Sequence, residues 1–84
     1  MVIERFRDVR GVYRRLRERG RQQPEGLVYL DSWIAEDLGR CFQLMETEER
    51  ALLEAWMQRW SDLMDFEVVP VLSSAEASRR ALGE

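Results

Sequence analysis

The sequence contains no histidine and no lysine, a single cysteine and two prolines, and each shortage narrows what the chain can do. Without histidine there is no side chain that ordinarily titrates near neutral pH, and the commonest zinc or iron ligand is missing. A Ser-His-Asp triad or a His-based metal centre is excluded, so acid–base work falls to Asp, Glu, Tyr, Cys or water. The lone Cys41 rules out an internal disulfide and a thiolate cluster within one chain. No metal and no organic cofactor is expected. No apolar run approaches the roughly 20 residues of a membrane span, and the N-terminus carries no signal-peptide core. A cytoplasmic protein without membrane association is the expectation.

What is present describes a folded domain. The chain has 84 residues, 45% of them hydrophobic and 35% charged, a balance typical of globular rather than disordered sequences. A single domain of this length buries only about 60–65% of its unfolded surface, so a partner subunit would add useful stability. All 13 basic residues are arginine, and their placement is uneven. Residues 1–22 carry eight arginines against three acids, and residues 23–84 carry five against thirteen. Arg10, Arg14 and Arg17 line one side of the first helical segment and Arg15, Arg19 and Arg21 lie near another. With a pI near 5.0 and no nucleic-acid motif, this is read as a solvated face paired with acidic neighbours, and no nucleic-acid partner is expected.

The pattern alternates between periods of two and 3.6. "MVIERFR" reads as a strand beginning at the chain start. Asp8 caps a helix with Val9, Val12, Tyr13 and Leu16 on one face, and Gly20 closes it. After the loop "RQQPEG", "LVYLDSWI" and "RCFQLMET" form a hairpin around "AEDLG". Thr47 caps a second helix whose apolar stripe runs through Leu52, Leu53, Trp56, Met57, Trp60, Leu63 and Met64. "FEVVPVL" is the last strand, and Pro70 assigns it to a sheet edge because it cannot donate to a ladder. The tail from residue 73 holds a capping box, Ser73 with Glu76, and ends at Gly83. The order β-α-β-β-α-β is that of the ferredoxin-like split unit, an α+β fold with a four-stranded antiparallel sheet and two helices on one face. The domain spans 1–72 and a short helical tail spans 73–84.

The hairpin raises the functional question. Pairing Ile34 with Arg40 sets Trp33 opposite Cys41, Asp31 opposite Gln43 and Tyr29 opposite Met45. Val28, Leu30, Ser32 and Ile34 then join Phe42 and Leu44 on the face towards the helices. The first set is too apolar for water and too polar for an ordinary core. It is expected to pack against the sheet of a second copy, making a homodimeric α+β barrel. Its polar members either fix register and dimer geometry or line a small ligand cavity. A slip of one residue in the pairing would exchange the two faces.

The segments "VIERFR", "PEGLVYLDSW", "DLGRCFQLMET" and "WSDLMDFEVVPV" resemble a family of small bacterial proteins catalogued as domain of unknown function 3303, over about residues 2–72. Ser32, Trp33, Arg40, Cys41 and Gln43 carry the resemblance at the hairpin. It implies a ferredoxin-like fold similar to the dimeric α+β barrel group, which includes cofactor-free monooxygenases, small isomerases and cyclases, and haem-degrading enzymes. That company implies a small-molecule pocket between sheet and helices or near a dimer interface, and it supplies no catalytic residues.

The candidate ligand-binding set is Arg5, Tyr29, Asp31, Trp33, Cys41, Gln43, Met45 and Phe66, for a small, partly aromatic metabolite. In an enzymatic version, Asp31 or Tyr29 exchanges the proton, Gln43 and Arg5 orient, and Trp33, Met45 and Phe66 form apolar walls. The alternatives are a cofactor-free enzyme of monooxygenase or isomerase type and a purely structural or protein-interaction module. Trp56 and Trp60 are read as core, and Cys41 as a small buried hydrophobe.

Overall fold

The first strand, β1 (Val2–Phe6), lies between two antiparallel partners, β3 (Arg40–Glu46) and β4 (Met64–Val68), and β2 (Val28–Ile34) pairs with the far side of β3. The resulting four-stranded antiparallel sheet has the order β2-β3-β1-β4. This computed structural model describes all residues 1–84. Helix α1 (Val9–Arg19) follows β1, α2 (Arg50–Gln58) links β3 to β4, and α3 (Ser74–Leu82) completes the chain. The expected β-α-β-β-α-β order and antiparallel sheet are therefore observed, with a third helix beyond them. No helix is long and apolar enough to cross a membrane.

Alternation along β1 decides where the core sits. Val2, Glu4 and Phe6 point to the helices, while Ile3 and Arg5 point away. Val2 joins Val12 of α1, Leu53 and Trp56 of α2, and Leu27, Trp60 and Met64 in one buried cluster. The local signals at the helix ends hold. Asp8 caps α1 by accepting the Gly11 N–H at 3.0 Å, and Gly20 closes it at φ +67 with its N–H on the Leu16 carbonyl. Ser73 caps α3 by accepting the Glu76 N–H, and Gly83 adopts the left-handed conformation at its end.

Two boundaries differ from the sequence expectation. The stripe from Leu52 to Met64 does not lie on one helix. α2 ends at Gln58, and the next residues turn through bonds from Trp60 N–H to the Met57 carbonyl and from Leu63 N–H to the Trp60 carbonyl. Met64 already begins β4, which ends at Val68 rather than Leu72. Helical spacing cannot distinguish this case, because a tightening turn keeps apolar residues on the same side as the helix before it. Val69 exchanges one further pair of bonds with Met1, after which Pro70 has no N–H to offer. At the other end Thr47 accepts the Glu49 N–H, but the helix proper starts two residues later with Glu49 at its cap position.

The connection between α1 and β2 is tied down by α2. The indole N–H groups of Trp56 and Trp60 both donate to the Arg21 carbonyl, at 2.8 and 2.9 Å, and Arg59 donates to the Gln22 carbonyl. Gly26 turns at φ +93, where an added Cβ would stand 2.8 Å from Leu52. Three of the eight N-terminal arginines form long-range pairs: Arg15 binds Asp62 through two bonds of 2.8 and 2.6 Å, Arg7 binds Asp65, and Arg5 approaches Glu67. The expected pairing of Arg10, Arg14, Arg17 and Arg19 with acidic neighbours is not formed.

Trp56 is the largest fully buried side chain. Trp56→Phe should lower the unfolding free energy by roughly 2–4 kcal/mol, from lost volume and one lost bond to Arg21. The measurement is a urea denaturation midpoint, and a change below about 1 kcal/mol would contradict the anchoring role.

Candidate functional site

The register of the hairpin decides which side chains meet. Tyr29 pairs with Met45 as expected, but the ladder then shifts. Leu30 has no partner, and Asp31 stands opposite Leu44, Ser32 opposite Gln43, Trp33 opposite Phe42 and Ile34 opposite Cys41. This β-bulge separates the later residues of β2 from their expected partners. Ser32 and Ile34 face the helices and Asp31 and Trp33 the open side as expected, whereas Tyr29 and β3 are reversed, because β1 sets Gln43 beside Val2 and Cys41 beside Glu4 on the helix side. Cys41, Gln43 and Met45 face the helices together with Tyr29, Ser32 and Ile34. Phe42 and Leu44 lie on the open face with Asp31 and Trp33.

Between the sheet and the helices is a cavity of about 140 Å³. Its sheet side is formed by Glu4 and Phe6 of β1, Ser32 and Ile34 of β2, and Cys41 and Gln43 of β3. Val12, Tyr13 and Leu16 of α1 cover one flank. Trp56, Trp60 and Met64 close the other, and Arg21 enters from the loop after α1. The walls are mainly apolar and aromatic, with a few converging polar groups, the usual composition of a small-molecule site. A cavity near 150 Å³ holds a single benzene ring.

Glu4 is the unusual member. It is 5% exposed, directly opposite Cys41 on one side and Phe66 on the other. Burial in this apolar setting pushes its carboxyl up to about 7, although the Cys41 thiol and the positive charge of Arg21 pull the other way. Cys41, 3% exposed, is pushed up to about 12, first by burial and then by the adjacent carboxylate. Tyr13 is raised by burial and by the same two groups. At neutral pH the site therefore contains a protonated thiol, a neutral phenol, a guanidinium and a carboxyl shared between its two forms.

Arg21 is placed by the indole bonds to its own carbonyl. Its guanidinium stacks on the Tyr29 ring, 3.6 Å from the centroid, and its Nε–H is buried without an acceptor. The Tyr29 and Ser32 hydroxyls share a bond of 2.6 Å. The Gln43 amide donates to the Met45 sulfur at 3.2 Å, a weak acceptor that leaves the amide oxygen for other donors.

Of the side chains singled out from sequence, Cys41 and Gln43 border the cavity. Tyr29 lies behind it, under Arg21. Met45 and Phe66 pack against the core cluster, Phe66 edge-on to Trp56. Arg5, Asp31 and Trp33 are on the opposite face: Arg5 near Glu67, Asp31 accepting the Ser32 N–H, and Trp33 52% exposed. Trp56 and Trp60 are core residues and cavity wall at once. Glu4, Arg21 and Tyr13 were not anticipated. The signal for Glu4 was available, since a carboxylate between Val2 and Phe6 at period two must face inward with them. Nothing in the local pattern marks Arg21. No three or more Cys, Asp or Glu side chains converge in a way that could hold a metal ion.

Compared with known proteins, residues 1–82 match the family model described as Domain of unknown function (DUF3303). No curated protein and no solved structure matches the chain.

Two measurements follow from this environment. Iodoacetamide should leave Cys41 unmodified in the native protein at pH 8 and label it fully in denaturant; rapid native labelling would mean an accessible thiolate. For Glu4, the unfolded chain releases the proton near 4.5 and the folded chain near 7, so the folded state binds more protons in between. Stability from this group is highest below pH 4.5 and falls as pH rises to 7. The wild type should lose about 3 kcal/mol across that window relative to Glu4→Gln. Parallel stability profiles for the two proteins would place Glu4 in water.

Proposed function

Since the chain belongs to the DUF3303 family, whose description assigns no activity, we propose a function from the cavity: the protein binds a small, single-ring metabolite between its sheet and its helices. The observation that carries this is the meeting of Glu4, Arg21 and Gln43 on an aromatic-walled cavity of about 140 Å³. A buried carboxyl held near neutrality and a guanidinium without a hydrogen-bond partner are costly in an 84-residue domain. A ligand offering a ring to Tyr13, Trp56 and Trp60 and polar atoms to Glu4 and Arg21 offsets that cost.

The working form is a homodimer joined through the open sheet face. Support comes from the row Trp33, Phe42, Ile3 across three strands, with Trp33 half exposed. Asp31, Leu44, Arg5, Arg40, Asp65 and Glu67 surround the row and bring both signs of charge. An apolar centre with mixed charges at its edge suits a self-complementary two-fold contact. A second reading, a cofactor-free enzyme acting on a small organic substrate, is favoured by the Glu4 carboxyl, which changes charge near neutral pH.

Native mass spectrometry should give a dimer carrying a small adduct, with single-ring compounds quenching tryptophan fluorescence. Trp33→Asp should give a monomer that still responds to those compounds, because the open face and the cavity lie on opposite sides of the sheet. A wild-type protein that sediments as a clean monomer at micromolar concentration would remove the dimer. Absence of any fluorescence response would remove the ligand.

A further inference from the structure

We propose that Glu4 and Arg21 form a proton-transfer site that shifts a double bond in a single-ring carbonyl compound. The proposal rests on the cavity being a ligand site and adds the chemistry done there. Three features lead to it. Glu4 is the only carboxyl on the cavity, and no hydrogen bond from a protein nitrogen or hydroxyl reaches its oxygens; its cross-strand neighbour is the Cys41 thiol. It is therefore a base of neutral-range strength facing the cavity. The Arg21 guanidinium borders the same space and its nitrogens make no hydrogen bond to the protein, so it is a cation in place for an oxyanion. Its position is fixed by stacking on Tyr29 and by the two indole bonds to its carbonyl, so it requires little reorganisation.

In a β,γ-unsaturated ring ketone, the Glu4 carboxylate takes the proton from the carbon between the carbonyl and the double bond. The C–H electron pair becomes a new C=C bond and the carbonyl π pair moves to oxygen. The resulting dienolate oxygen accepts hydrogen bonds from the Arg21 guanidinium, while the ring lies against Trp56 and Trp60. The Glu4 carboxylic acid then returns the proton to the γ-carbon, the oxygen pair re-forms the carbonyl, and the double bond is conjugated with it. No atom is gained or lost, no oxidant is needed, and Glu4 ends as a carboxylate. The charged and titratable groups facing Glu4 are Arg21 from the loop, Cys41 from β3 and Tyr13 from α1. Its neighbour in β4, Phe66, carries no charge. Arg21 alone is charged at neutral pH, so the rate should rise with pH through the neutral range as Glu4 ionises.

The test uses the full-length protein with cyclohex-3-enone, followed by the ultraviolet absorbance of the conjugated product, and with phenol as a non-reacting mimic of the enolate, followed by tryptophan fluorescence. The expected result is isomerisation at least about 100-fold above buffer, a fall of about 100-fold or more in Glu4→Gln, and about 10-fold or more in Arg21→Met, with phenol quenching weakened in both variants but retained through the aromatic walls. Glu4→Asp, which keeps the acid but withdraws it by one methylene, should fold normally and lose about 10-fold if the Gln variant does not fold. Phenol quenching with wild-type isomerisation no faster than buffer, or with Glu4→Gln as active as wild type, would overturn the proton-transfer role and leave the binding site standing. No quenching and no turnover would overturn both.

Discussion

One carbonyl oxygen, that of Arg21, receives the indole N–H groups of both Trp56 and Trp60, and much of the molecule depends on it. A buried indole requires an acceptor, and two indoles one helical turn apart would ordinarily need two. Bringing both to one oxygen locks the loop after α1 to α2 and to the turn that follows it. The loop can then reach β2 with Leu27 buried against the sheet. It also sends the Arg21 side chain back over Tyr29, so the element that closes the core also puts the guanidinium beside the cavity. Core and candidate site share a wall, and neither can be altered there without the other.

That sharing explains the tension around Glu4. A domain of this size has a small net stability, since a large burial gain is nearly cancelled by chain entropy. Placing a carboxyl where burial raises it to about 7 works against the fold at neutral pH. A Gln or Met in that place would keep the shape without the electrostatic cost. The same feature, a base of matched strength on a mainly apolar cavity, is what proton transfer to or from a ligand requires.

Charge organisation belongs to a different layer. Three of the eight arginines in the first quarter of the chain are partnered by acids from the last third, through Arg15 with Asp62, Arg7 with Asp65 and Arg5 with Glu67. Asp62 is held below its ordinary value by the Arg15 hydrogen bonds. The pairs are exposed, so their contribution to stability is small; their effect is to neutralise part of a surface that the sequence presents as strongly polarised, while Arg10, Arg14, Arg17 and Arg19 of α1 have no acidic partner.

What could be read from sequence alone has a common character: it is local. Asp8, Gly20, Ser73 and Gly83 mark helix ends because their side chains or backbone freedom act within a few residues, and period-two alternation in β1 and β4 follows from the pleat. Together these were enough for the element order, and the order for the ferredoxin-like sheet. The candidate site was legible only in part. Cys41 and Gln43 were recognised as out of place on an exposed surface, and they border the cavity; Asp31, Trp33 and Arg5 were grouped with them and lie across the sheet. The bulge at Leu30 separates Asp31 and Trp33 from their expected partners Gln43 and Cys41 and leaves no mark in an alternating pattern, whereas Arg5 is turned away by the ordinary alternation of β1. Arg21 could not be found at all from sequence, because what makes it special is a pair of indoles more than thirty residues away. Short-range chemistry determined the elements of this protein, whereas the composition of its site was decided by register and long-range anchoring, which exist only once the strands have paired and the helices have packed.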